Sequence, residues 1–449
     1  MKKKILILLT IVFVVHFGLL FSLKFTAWPE MLLWPYLMIK GWLPYTDIAI
    51  VHTPLLFTKL TIFFKIFGVG ILQLKIFTWL LILILDVLVF WITKKLWGIK
   101  TALPAVTAFA LWQIFFEGNG LWFDLFMGVS ALITFYFIKR KRFTLAGAFW
   151  ALAFISKQTA FWFLVPILLS ISGGNWAKSK QGLIKFVLGS LLTLTPFLLI
   201  LWGFGLLPDF YKWAINFGIF VLPKAQGQVQ LPDLKNLAIS LFPFTVFLPL
   251  FLIKKKESLN LFSWSIAGMM GAYPRFEYFH FQPAIPFLAM ASAFVFISNW
   301  HKKELIKAFI PVYVLGSLYL FGGFFMRNYN EGTRFYESDV SEMSNYVRSN
   351  TNEGDKILVL NYWDNIYAFS DTLPAIDPWV PQLSWYMNVP GIQEDMIKGL
   401  ESSKPKLILE NPYLLTGLGS SKPTKVYDYV VQNYKLKEKV GSMNVLIPR

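Results

Sequence analysis

"LKIFTWLLILILDVLVFWITKKLWG", residues 74–98, decides the fold class. Residues 74–93 form an apolar run long enough to cross a bilayer as one helix. Lys94 and Lys95 close it, as basic residues do at the cytoplasmic end of a span. Asp86 lies inside the run, where an ionisable group is costly and has a partner as a rule.

The rest of the chain follows this pattern. It has 449 residues, 56% of them hydrophobic, a mean hydropathy of +0.55 and 15% charged residues, against about 25% in soluble domains. Apolar runs at roughly 5–22, 74–93, 101–116, 121–138, 143–156, 159–172, 184–204, 236–253, 259–273, 281–299 and 305–325 give an expected eleven spans. The first follows a basic start and lacks a small-residue cleavage site, so it reads as an uncleaved anchor.

The formal charge of +17 is unevenly placed. Residues 1–326 hold 29 Lys and Arg against 10 Asp and Glu, whereas residues 327–449 hold 13 against 15. With Lys2, Lys3 and Lys4 inside, the clusters Lys94/Lys95/Lys100, Lys139/Arg140/Lys141/Arg142, Lys178/Lys180/Lys185, Lys254/Lys255/Lys256 and Lys302/Lys303/Lys307 all fall on the cytoplasmic face. The excess therefore sets orientation and needs no nucleic-acid partner. An odd number of spans places the tail outside. The chain has no cysteine, which rules out a disulfide framework or a thiolate metal site.

Two domains are expected: a multi-span membrane domain, 1–326, with an external loop at 23–73, and a soluble extracytoplasmic α/β domain, 327–449. In the second, "DKILVL" (355–360), "KLILE" (406–410) and "MNVLIP" (443–448) read as strands and "VYDYVVQNY" (426–434) as a helix. In the loop, "WPEMLLWPYLMI" and "PLLFTKLTIFFKIFG" suit short helices at the membrane interface.

Within that loop, "GWLPYTDIAIVHTP" (41–54) is too polar and too bent to span. Gly41 permits a turn and Pro44 restricts it, so Asp47 can be held as a general base for an acceptor hydroxyl; an Asp capping a short helix is the competing reading. His52 can orient Asp47 or contact phosphate, or it can simply pack. "AYPRFEYFHFQPAIP" (272–286) gathers Arg275, Glu277 and His280, where a guanidinium fork suits phosphate and an Arg–Glu pair would equally pin a loop. Lys157 and Gln158 stand at an external turn, Lys75 at the external start of the second span, and Glu117 and Asp124 bracket "EGNGLWFD". Either lysine can counter a lipid phosphate or snorkel.

"GWLPYTDIAIVHTPLLF", the 74–98 span, "GAFWALAFISKQTAFWFLVPILL" and "YFHFQPAIPFLAM" resemble, in order over about residues 1–325, the bacterial branch of the glycosyltransferase C superfamily. The nearest in style are dolichyl-phosphate-mannose protein mannosyltransferase-like proteins and the aminoarabinose transferase of lipid A. The G-x-x-P-Y-x-D segment is the most specific part. The resemblance implies a polyprenyl-phosphate-linked sugar donor, Asp47 as catalytic base beside Tyr45, attack with inversion, Lys75 as a phosphate contact and Lys157 as the turn lysine. Thr46 and Ile48 flank Asp47 where many members carry a second acid, so no metal and no other cofactor are expected. The expected partners are the lipid-linked sugar, a lipid, glycan or protein acceptor, and the bilayer. A transporter or flippase of lipid-linked sugars, or a surface-glycan polymerase or ligase, is the alternative.

Overall fold

The computed structural model describes residues 2–172, 176–225, 227–253, 255–297, 304–412 and 423–449; Lys254, Lys302 and Lys303 of the basic clusters lie outside them. Two compact units emerge. The first comprises Met1–Phe25, Lys75–Leu199 and Gln230–Gly332, the second Thr26–Leu74, Ile200–Val229 and Thr333–Arg449. The segments 26–74 and 200–229 thus group with the C-terminal domain, whereas a cut of the sequence at 326 leaves them with the spans.

The first unit is helical and apolar. Across the described residues of the whole chain, six helices are long and apolar enough to cross a membrane: Lys4–Ser22, Ile71–Trp97, Ser179–Gly203, Leu234–Leu252, Tyr278–Ile297 and Ile306–Asn328. Ile99–Phe115, Phe143–Ser156 and Gln158–Ile171 are shorter apolar helices, and Phe123–Lys139 has 17 residues. The expected count of eleven is therefore not reached by length alone. The shortfall is one of length, since the remaining runs form shorter helices, such as Phe143–Ser156 with 14 residues and Lys255–Met269 with 15.

Ile285–Ile297 is buried from Ile285 to Val295 and packs on Ile99–Phe115, which explains why it is apolar all round. Outward faces are greasy, as at Leu192, 69% exposed, and they face lipid. Small residues let helices meet closely. A Cβ on Gly147 would lie 1.9 Å from the Phe186 carbonyl oxygen, and one on Gly189 1.9 Å from that of Thr144.

In the second unit, helices Pro29–Ile39 and Leu55–Phe67 form where the two apolar loop segments predict them, and they pack on each other. The C-terminal sheet has strands β1 (Lys356–Leu360), β2 (Leu373–Pro374), β3 (Ile408–Glu410), β4 (Tyr434–Val440) and β5 (Met443–Pro448) in the order β2-β1-β3-β5-β4. β1 is parallel to β2 and β3, and the last two pairings are antiparallel. β1 is buried from Ile357 to Leu360, a continuous apolar run as a central parallel strand requires. The three expected strands are present, and the expected helix runs over Thr424–Asn433. The protein is a polytopic α-helical membrane protein with a small C-terminal α/β domain.

Candidate active site

The 41–54 stretch belongs to the second unit. Helix Pro29–Ile39 ends at Lys40, and Gly41 takes φ +96°, a conformation that suits glycine after a helix. Tyr45 also adopts positive φ, at 72°, and is fully buried. Its ring packs edge-on against Phe57 and Phe210, and its hydroxyl donates to the His52 carbonyl at 2.9 Å. Tyr45 and His52 thereby fasten the two ends of the turn together.

Asp47 sits on that turn, partly exposed. Its Oδ2 accepts the Leu43 N–H at 2.6 Å, and its own N–H donates to the Leu43 carbonyl at 2.9 Å. One carboxylate oxygen thus closes the turn and caps no helix, while Oδ1 has no protein donor among the described residues. Trp379 clamps the backbone from the C-terminal domain. Its N–H donates to the Asp47 carbonyl at 2.8 Å and its carbonyl accepts from Ala49 at 2.9 Å.

Two further acids gather here that the sequence does not signal. Thr46 donates to Asp209 at 2.8 Å. Burial, and secondarily the Asp47 carboxylate, push the Asp377 carboxyl above its ordinary value. A divalent cation needs several converging hard ligands, and among the described residues no three His, Asp or Glu side chains are grouped to hold one.

The first unit contains a second constellation. Asp124 lies in the first turn of Phe123–Lys139, Lys157 directly follows Phe143–Ser156 in extended conformation, and His280 is on the 3-10 segment Tyr278–Ala284. Asp124 Oδ2 accepts from Lys157 Nζ at 2.5 Å and pairs with His280 Nδ1 at 2.9 Å, and Nζ lies 3.1 Å from the same ring nitrogen. The Asp124 and Lys157 side chains are 0% and 4% exposed. Burial lowers the Lys157 pKa, and the Asp124 carboxylate counters this. Gly271 makes room, since a Cβ there would lie 3.1 Å from Asp124 Oδ1. A buried ammonium and an imidazole thus share one carboxylate, which gives each buried polar group a partner.

Of the other candidates, Arg275 is close enough to act electrostatically on His280, and Gln158 adjoins Lys157. Arg275 Nε pairs with Glu277 at 3.4 Å, and the segment is tied down by Phe276 N–H donating to the Gln230 carbonyl at 2.8 Å. Lys75 Nζ lies 5.5 Å from the centroid of the Phe25 ring. Gln158 opens the 3-10 segment Gln158–Phe163. Asp86 has its partner: His16 Nδ1 at 2.8 Å.

No family model and no curated protein matches the chain by sequence. Solved structures do match. ArnT from Cupriavidus metallidurans, bound to undecaprenyl phosphate, aligns with a TM-score of 0.64 over 99% of this chain and 98% of its own, at 11% identity. The fold is of the glycosyltransferase C type. The same glycosyltransferase C fold relates the chain to the Archaeoglobus fulgidus oligosaccharyltransferase AglB, in complex with an inhibitory peptide and a dolichol-phosphate. There the TM-score is 0.55 at 12% identity, over 91% of this chain and 69% of AglB. An oligosaccharyltransferase structure from the same organism, tethered to an acceptor peptide, gives 0.55 at 15% identity. At such identities the likeness is one of fold, and the fold expected from the G-x-x-P-Y-x-D segment is the one found.

Proposed function

We propose that the protein is an integral-membrane glycosyltransferase that moves a hexosyl or pentosyl unit from a polyprenyl-phosphate donor to an acceptor hydroxyl on the extracytoplasmic face, with inversion. The observation that carries the reading is a glycosyltransferase C fold shared over 99% of the chain with a protein bound to undecaprenyl phosphate, with Asp47 on a clamped turn. Asp47 Oδ1 takes the acceptor proton as the hydroxyl oxygen attacks the anomeric carbon and the lipid phosphate departs with the bonding electron pair. Lys75, Lys157 and Arg275 stabilise the departing phosphate, a large contribution in a setting of low dielectric. Gln158, Glu277, His280 and Asp124 orient donor or acceptor, and Tyr45 and His52 hold the shape of the Asp47 turn.

Transfer of radiolabelled sugar from a panel of polyprenyl-phosphate sugars, with wild type and Asp47→Asn compared in liposomes, tests this. The expected result is release of polyprenyl phosphate by wild type and a loss of at least about 100-fold in the variant, the usual scale for a general base. Undiminished turnover in Asp47→Asn would remove the base. The fold shared with AglB supports a second reading, transfer of a whole lipid-linked glycan, which a donor-length series separates from transfer of one sugar.

A further inference from the structure

A chain of buried polar groups crosses the first unit and takes no part in the chemistry above. His16 and Asp86 are 1% and 3% exposed. His16 Nδ1 lies 2.8 Å from Asp86 Oδ2, and Nε2 lies 3.2 Å from Gln113 Oε1. The Gln113 amide is oriented from its far side, because its Nε2 donates to the Gly118 carbonyl at 3.0 Å. Oε1 is therefore the acceptor that faces His16, and the imidazole carries a proton on Nε2. Nδ1 then either donates to an Asp86 carboxylate or accepts from the neutral acid.

The chain continues through the backbone. Gly118 N–H donates to the Gln113 carbonyl at 3.0 Å, and Gln282 Nε2 donates to the carbonyls of Gln113 and Phe116, at 2.8 Å each. Helix Ile99–Phe115 ends here, and its last carbonyls would be orphans in apolar surroundings. Glycine is required at 118, since a Cβ would lie 2.3 Å from the Gln113 carbonyl oxygen. Asn119 anchors the same turn. It donates to the carbonyls of Leu20, Leu23 and Lys24 and accepts the Trp79 indole N–H at 3.0 Å.

These bonds join the two segments that matter for the trio. The 116–122 turn leads directly into the helix whose second residue is Asp124, and Gln282 stands two residues beyond His280 on one 3-10 segment. We infer that His16, Asp86, Gln113 and Gln282 are positioning residues that fix Asp124 against His280, and thereby aim the Lys157 ammonium at the donor phosphate. The last clause rests on the proposed function; the first does not.

The test uses the full chain in nanodiscs and two readouts. Hydrogen exchange over 116–124 and 278–284, without ligand, reports the positioning. Binding of undecaprenyl phosphate reports its use. Gln282→Met keeps side-chain length but removes both donated bonds. Asp86→Leu removes the His16 partner, whereas Asp86→Asn preserves a hydrogen bond to a neutral His16 and serves as the rescue.

Gln282→Met and Asp86→Leu are expected to speed exchange in both segments and to weaken binding by about 10- to 100-fold, the cost of a small misplacement. Asp86→Asn should stay close to wild type. Unchanged exchange in either segment, faster exchange throughout the protein, or an Asp86→Asn variant no better than Asp86→Leu would each overturn the inference. If exchange behaves as expected but wild type binds no undecaprenyl phosphate, the donor reading fails and the positioning of Asp124 and His280 stands.

Discussion

Removing the charge of Asp124 is the sharpest perturbation available. Its carboxylate and the Lys157 ammonium are 2.5 Å apart and almost wholly shielded, with side chains 0% and 4% exposed. At an effective dielectric of about 20, two charges at that separation attract by roughly 6–7 kcal/mol. Desolvation of both ions offsets much of this, so the pair contributes little net stability, but deleting one partner leaves a buried uncompensated charge and costs about 3–5 kcal/mol. Asp124→Asn, which preserves shape, is expected to lose that amount. Lys157→Met in the Asp124→Asn background should recover most of it, with a favourable coupling near the upper end of the usual ~0.5–3 kcal/mol range. Reversible unfolding in mixed micelles, followed by tryptophan fluorescence for wild type, both single variants and the double variant, measures the cycle. A coupling below about 0.5 kcal/mol would refute the reasoning, because independent sites add within that margin. The double variant should regain stability without regaining donor binding.

Two further outcomes follow from individual contacts. Burial raises the Asp371 carboxyl, but Lys40, at 2.8 Å, and the Tyr36 hydroxyl outweigh it and hold the group below its ordinary value. Such a carboxylate adds stability above the unfolded value of about 3.9 and loses it as pH falls through the folded value. Asp371→Asn, tolerated at a φ of 58°, should cost about 0.5–1 kcal/mol at pH 7, as a partly exposed pair does, and match wild type once the pH has fallen below the folded value. A gap that persists in acid would assign the loss to something other than charge. The absence of cysteine allows background-free topology mapping: a membrane-impermeant maleimide on intact cells should label Lys398→Cys in the C-terminal domain, and Lys141→Cys only after permeabilisation. The reverse pattern would invert the orientation drawn from the basic loops.

Much of the fold is written in local patterns. Apolar runs of span length mark the long helices, and β1, β3 and β5 are legible as short buried runs, because backbone hydrogen bonding in lipid or in a core admits few alternatives. β4, "YKLKEKV", has exposed side chains along most of its length and gives no such signal. The span count was the least legible, because several apolar runs form helices below the usual span length, as Phe143–Ser156 with 14 residues and Lys255–Met269 with 15 do.

The sequence by itself determined which residues were too costly to be idle: Asp86 within a span, Asp47 on a bent loop, Asp124 and Lys157 beside apolar runs. Only the tertiary structure decided their partners. Asp124 meets Lys157 33 residues on and His280 156 residues on, Asp86 meets His16 70 residues away, and Asp47 is clamped by Trp379 from another part of the chain. The physical reason is that burial imposes on each charged or polar group the need for a partner. Which group satisfies that need depends on how helices and strands, packed by non-directional apolar contacts, bring distant segments together.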